Sequence, residues 1–130
     1  MSIYAYCRVS TKHQRIARQI TNITEVYPKA TIIREFYTGT VQTRPSWNKL
    51  MGLIQKGDTI VFDSVSRMSR NAQEGYKDYK ALYEMGVGLV FLNEPLINTK
   101  VFESSKSNFK ILTLKVSDKT DSILAKIFSR

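Results

Sequence analysis

One cysteine and one histidine are the only thiol and imidazole in this chain of 130 residues. Cys7 alone cannot form an intrachain disulfide, which excludes a disulfide scaffold, and Cys7 with His13 cannot supply the four ligands of a zinc finger or ribbon. No apolar run approaches the roughly 20 residues of a membrane helix. The N-terminal stretch meets Arg8 before a signal-peptide core forms. Glycines number six and prolines three, with no repeat, linker or low-complexity tract. No glycine-rich phosphate loop follows the first apolar run, so a nucleotide-binding reading is weak. A reduced, cytoplasmic, single-domain protein is expected, with no membrane association.

What the chain does have is an ordinary core composition and an excess of positive charge. Apolar residues make up 42% and charged residues 24%, enough for a globular domain of this size to fold without staples. Twenty Lys and Arg against 11 Asp and Glu leave a formal charge of +9. A polyanionic partner follows, with nucleic acid the leading candidate. The C-terminal lysines, Lys100, Lys106, Lys110 and Lys115, are read as a solvated face rather than a binding patch.

Apolar periodicity gives the order of elements. Residues 3–7 read as a short buried strand. Ile16, Ile20, Ile23 and Tyr27 recur on one helical face, predicting a helix over 12–27 that Pro28 ends. A β-branched run predicts a second strand over 31–36, followed by a loop with Gly39 and Arg44. Pro45 suits a first helical turn, and Trp47, Leu50, Met51 and Ile54 form its stripe. Gly57 and Asp58 turn the chain into a third strand, 59–62, and a polar loop spans 63–70. Asn71 and Glu74 have capping-box spacing; Ala72, Tyr76, Tyr79 and Tyr83 continue a helix that Gly86 closes, and 87–92 is a fourth strand. The alternation predicts an α/β fold: a mainly parallel sheet of four or five strands with helices on both faces, in three layers. Beyond Asn93 the signal weakens. Residues 111–116 read as a strand or an irregular segment, and Asp118 precedes a stripe of Ile123, Leu124, Ile127 and Phe128 that resembles a cut helix.

Ligands of open α/β sheets bind beyond the carboxyl ends of the strands. That end should gather the hydroxyl of Ser10 with Arg8, Arg44, Arg67 and Arg70. Guanidinium groups stay protonated and match phosphate oxygens with a fixed fork of donors. A hydroxyl among arginines is the apparatus of phosphoryl transfer to serine. Against this stands a set of separate surface ion pairs. Other chemistries fit less well. His13 is too close in sequence to Ser10 for a Ser-His-Asp triad. The carboxylates Asp58, Asp63 and Glu94 share no metal motif.

These residues carry a family resemblance. Tyr6-Cys7-Arg8-Val9-Ser10-Thr11 resembles the opening motif of the serine recombinases, the resolvases and invertases. Gln14, Gln19, Gly39 and Arg44 fall at matching places. Ser66-Arg67-Met68-Ser69-Arg70-Asn71 resembles the Asp-Arg-x-x-Arg-Asn/Asp segment of that family, and Asn93-Glu94-Pro95 resembles its stretch after the fourth strand. Over residues 1 to about 100, the resemblance implies a resolvase-like catalytic domain in which Ser10 attacks a DNA phosphate. It implies a 5′-phosphoserine link, strand exchange in a synaptic tetramer built from dimers, and rejoining without metal or cofactor. Arg8, Arg67 and Arg70 would hold the scissile phosphate of double-stranded DNA, Arg44 would support it, Gln19 would orient the cluster and Gln14 would meet DNA. Residues 1–130 would then form one catalytic domain, cut near the start of a long dimerisation helix and lacking the DNA-binding domain. Ser66 departs from the family pattern, which commonly has aspartate there. Either Asp63 or Glu35 supplies that charge, or the role is dispensable. Two other functions remain open: a metal-dependent nuclease on the same sheet, and a DNA-binding or regulatory module without catalysis.

Overall fold

The structure, a computed structural model, describes residues 1–10, 16–37, 44–69 and 72–101. Its elements run β1 (Ile3–Ser10), α1 (Ile16–Val26), β2 (Thr31–Tyr37), α2 (Pro45–Leu53), β3 (Thr59–Phe62), α3 (Ala72–Glu84) and β4 (Gly88–Phe91). Two 3₁₀ turns, Val65–Arg67 and Pro95–Ile97, follow β3 and β4. The described strands form one sheet in the order β2-β1-β3-β4, with every neighbour parallel. Each connection is therefore a crossover, and each carries a helix, as short apolar strands alternating with amphipathic helices require.

The helices cover both faces. Ile23 of α1 packs with Ala5, Cys7 and Val61 on one face. Trp47 and Leu50 of α2, with Tyr79 and Leu82 of α3, pack on the other against Tyr6, Ile60, Phe62, Leu89 and Phe91. A file of aromatic rings crosses this second face. Tyr6 meets Trp47 edge-on at 5.0 Å, and Phe62 stacks on Phe91 at 5.0 Å. Such pairs add roughly 0.5–1.5 kcal/mol each beyond the area they bury. The tyrosine stripe of α3 is thus core, with Tyr79 fully buried.

Three strands differ in extent from the sequence expectation. β1 does not stop at Cys7: Arg8, Val9 and Ser10 continue the ladder opposite Glu35, Phe36 and Tyr37. Arg8 reads as a strand end because it is charged, yet it lies buried inside the strand, where its side chain finds a main-chain acceptor. β2 gains Tyr37, and β4 is shorter at both ends than 87–92. The helix expected from residue 12 is described from Ile16 onward. Asn71 and residues 102–130, with the stripe at Ile123–Phe128, lie outside the described residues. Gly57 and Gly86 have φ of 93° and 87°, a region that only glycine enters at little cost, and the Gly57 amide donates to the Gly86 carbonyl at 3.0 Å. These two turns start β3 and β4 at the same level.

Asp58 fastens the opposite end of the sheet from the arginines. Its carboxylate accepts from the amides of Ser2 and Gln55, both at 2.9 Å. Those bonds hold its pKa below the ordinary aspartate value. A lowered folded pKa stabilises above the unfolded value and ceases to do so as pH falls through the folded one. Asp58→Asn is therefore expected to lower the urea midpoint at pH 7 and to flatten the acid side of the stability profile below about pH 4. Parallel profiles for the two proteins would show that the carboxylate contributes nothing.

Candidate active site

In the order β2-β1-β3-β4, α1 carries the chain from β1 to one side and α3 carries it from β3 to the other. The sheet's switch point is thus the carboxyl end of the β1–β3 pair, where a crevice opens. The pair is short there. β1 matches β3 only from Ile3↔Thr59 to Ala5↔Val61, while β1 runs on to Ser10. Beyond Phe62 the main chain of β1 has, among the described residues, no strand on that side.

Side chains take the place of the missing strand. Gln19, reaching from α1 and only 1% exposed, accepts from the Arg8 amide with Oε1 and donates to the Arg8 carbonyl with Nε2, both at 3.2 Å. One amide group thereby completes the ladder at Arg8, and this is why a glutamine is buried on an otherwise apolar helix face. Arg67 also donates to the Arg8 carbonyl, from Nη1 at 3.3 Å. Arg8 Nη2 in turn donates to the Ser66 carbonyl at 2.9 Å. Arg44 Nη2 donates to the Met68 carbonyl. Three arginines from β1, the Val65–Arg67 turn and the N-cap of α2 thus converge on one short stretch of main chain.

The turn itself is built to hold that position. Its first amide, Val65, donates to the Glu94 carboxylate at 2.8 Å, and the hydroxyls of Ser64 and Ser66 share a hydrogen bond at 2.8 Å. The exposed Ser66 side chain has no part in holding Arg8; its carbonyl does. Arg44 is further fixed by Asp78 of α3 at 3.3 Å and lies 4.3 Å over the Trp47 ring, a cation–π arrangement. Burial raises the Asp78 carboxyl above the ordinary value and Arg44 opposes the rise.

The two candidate carboxylates occupy different surroundings. Glu35 faces Tyr6 and α2 and is 1% exposed. Oε1 accepts from the Tyr6 hydroxyl and the Trp47 amide, both at 2.9 Å, and Oε2 accepts from the Ser46 amide at 3.1 Å. It caps α2 from a neighbouring strand, satisfying donors that the helix cannot satisfy itself. Burial pushes the Tyr6 phenol well above its usual range, so it remains the donor. Asp63 stands at the end of β3 on the α1 side, where Oδ1 accepts from Asn22 at 3.1 Å. Cys7 lies buried nearby; burial, with Asp63 adding, pushes its thiol up to about 12, so it remains protonated and is no nucleophile at neutral pH.

Ser10 ends β1, paired in register with Tyr37 and two residues past Arg8. Gln14, Arg70 and His13 lie outside the described residues. The structure brings Arg8, Arg44, Arg67, Gln19 and Ser66 together around the turn, sets Glu35 against the start of α2, and leaves Asp63 on the other face. Sequence reasoning missed Tyr6 as Glu35's partner and Asp78 as Arg44's. Asp78 directly precedes Tyr79 of the α3 stripe, and nothing in that spacing points to Arg44 as its partner. Among the described residues, no group of three or more His, Cys, Asp or Glu side chains could hold a metal ion, and no helix is long and apolar enough to cross a membrane.

Comparison with known proteins is consistent across three levels. A family model described as Resolvase, N terminal domain matches residues 3–126. The Tn917 transposon resolvase of Enterococcus faecalis is 27% identical over 92 residues, covering 71% of this chain and 50% of the relative. Serine recombinase PinR of Escherichia coli is 32% identical over 91 residues, covering 65% of this chain and 46% of the relative. The chain spans about half the length of these curated relatives. Among solved structures, the N-terminal catalytic domain of TP901-1 integrase covers 93% of this chain and 98% of its own, with a TM-score of 0.59 at 21% identity. A resolvase-family site-specific recombinase from Streptococcus pneumoniae gives a TM-score of 0.56 at 20% identity, covering 92% and 97%. At these identities the two structures establish the shared α/β fold.

Proposed function

This chain belongs to the resolvase N-terminal domain family, and from that membership we propose that it is the part of a site-specific DNA recombinase that cuts and rejoins strands. The reaction is a transesterification. Ser10 Oγ attacks the phosphorus of a DNA phosphodiester, the bond from phosphorus to the 3′ oxygen breaks, and the proton lost by serine is balanced by one gained at the 3′ hydroxyl. The 5′-phosphoserine link keeps the energy of the diester, so the reverse attack by a 3′ hydroxyl rejoins strands without water or an energy source.

The observation that carries this reading is the placement of Ser10. It closes β1 at the switch-point crevice, two residues from Arg8, where Arg67 and Arg44 also arrive. Such cations, fixed before the substrate arrives, stabilise charge on the non-bridging phosphate oxygens. Arg67 Nε is buried and, among the described residues, has no hydrogen-bond partner, which leaves a donor for an anion in the crevice. Arg8 and Arg67 are assigned to the phosphate, with Arg70 and Gln14 joining them at DNA. Gln19 holds the main chain of Arg8. Glu35 is assigned to support rather than to proton transfer, because both its oxygens are already engaged. The natural partner is double-stranded DNA, met by a dimer that pairs into a synaptic tetramer.

The test is covalent attachment. The full-length protein, incubated in chelator with DNA from its own genetic neighbourhood and quenched with SDS, is expected to remain joined to 5′ ends and to leave free 3′ hydroxyls. Cleavage that requires added metal and leaves no attached protein would overturn the proposal in favour of a nuclease. Salt-sensitive binding without any cleavage would favour a regulatory module.

A further inference from the structure

Arg44 is held on three sides. Nη1 meets the Asp78 carboxylate at 3.3 Å, Nη2 donates to the Met68 carbonyl, and Cζ lies 4.3 Å from the centre of the Trp47 ring and 5.8 Å from that of Tyr6. Its side chain is 14% exposed and that of Asp78 31%. Both terminal nitrogens of this guanidinium are thus engaged with the protein, while Nε is buried and, among the described residues, has no hydrogen-bond partner. The group ties three elements together: the N-terminus of α2, the turn after β3, and α3. Met68 directly follows the turn that carries Arg67, and its own amide donates to the Val65 carbonyl at 3.1 Å. Whatever fixes the Met68 carbonyl therefore fixes the path of the turn.

We propose that Asp78 is a positioning residue, acting through Arg44 to hold the Met68 carbonyl and with it the turn that presents Arg67 and Ser66. This rests on the recombinase reading above and extends it to a residue on α3 that touches no substrate. A partly buried cation against two aromatic rings stays in place only while a counter-charge holds it. Remove the carboxylate, and the guanidinium gains by turning to water, releasing the Met68 carbonyl. Misplacement of an attacking or stabilising group by about an ångström is enough to slow a reaction substantially.

The chain offers an internal reporter. Trp47 is the only tryptophan, and Arg44 lies over its ring. Asp78→Asn keeps the shape and removes the charge; Asp78→Glu keeps the charge on a longer arm; Asp78→Ser serves if the asparagine variant fails to fold by circular dichroism. Asp78→Asn is expected to shift Trp47 emission and its acrylamide quenching. It should also slow single-turnover attachment to DNA about tenfold, with the half-saturating DNA concentration within about twofold of wild type. Asp78→Glu should restore most of both. An unshifted Trp47 spectrum in Asp78→Asn overturns the inference whatever the cleavage assay gives. A shifted spectrum with wild-type cleavage overturns it too, because the tie would then be structural only. If the wild-type protein attaches to no DNA, the recombinase reading fails and the catalytic half of the inference falls with it. The Trp47 spectrum then still decides, separately, whether Asp78 holds Arg44.

Discussion

With alanine in place of Ser10, the full-length protein is expected to bind its DNA with unchanged affinity and to leave no protein attached after SDS. The loss should be at least ~10⁴-fold in the rate of adduct formation, because deleting a nucleophile removes the atom that makes the new bond while the surrounding cations remain. The fold should survive. Ser10 contributes its main chain to the last pair of β1 and β2, opposite Tyr37, and alanine makes the same pairing. Circular dichroism and DNA binding measured on the same preparation separate loss of chemistry from loss of structure. Residual attachment at the wild-type rate would mean another hydroxyl carries the reaction. Ser64 and Ser66, on the turn beside Arg8, would be examined next.

The second large effect is expected at Glu35. Replacing it with alanine leaves three donors without acceptors: the Tyr6 hydroxyl and the amides of Ser46 and Trp47. Each unsatisfied buried donor costs about 1–3 kcal/mol, and neighbours in one network do not add fully, so a loss of ~3–5 kcal/mol is expected. That is a large share of the stability of an ordinary domain. Glu35→Gln should fall between, since its amide nitrogen cannot accept from a backbone N–H. Urea unfolding at pH 7 measures both. A loss below ~1 kcal/mol for the alanine variant would mean that water replaces the carboxylate without cost and that α2 does not depend on this cap.

Much of the architecture was legible because it depends on period. The stripe of Ile16, Ile20 and Ile23 and the β-branched run of β2 follow directly from burial on one face, and the parallel sheet follows from their alternation. Boundaries were less legible where a polar residue is buried by a partner distant in sequence. Arg8 looks like the end of a strand until Gln19 and the Ser66 carbonyl are placed beside it, 11 and 58 positions away. Among site residues, the convergence of Arg8, Arg44 and Arg67 could be read from three loops sharing one sheet end. The tasks of Glu35 and Asp78 could not, since a carboxylate next to a strand residue or within a helix stripe gives no sign of which donors the fold will bring to it. At Ser66 the contact with Arg8 is made by the main-chain carbonyl, which the identity of the side chain does not announce.

The turn after β3 changes what mutation can do to this cluster. Arg8 and Arg44 are moored to the carbonyls of residues 66 and 68, and Arg67 to that of residue 8. Every amino acid supplies a carbonyl, so no exchange of side chain at those positions deletes a mooring, and a carbonyl does not titrate, so acid does not release it. The weak point is the route of the peptide chain. An inserted or deleted residue between Asp63 and Ser69 would cast off two arginines at once, while an exchange of side chain at position 66 leaves the Arg8 mooring in place.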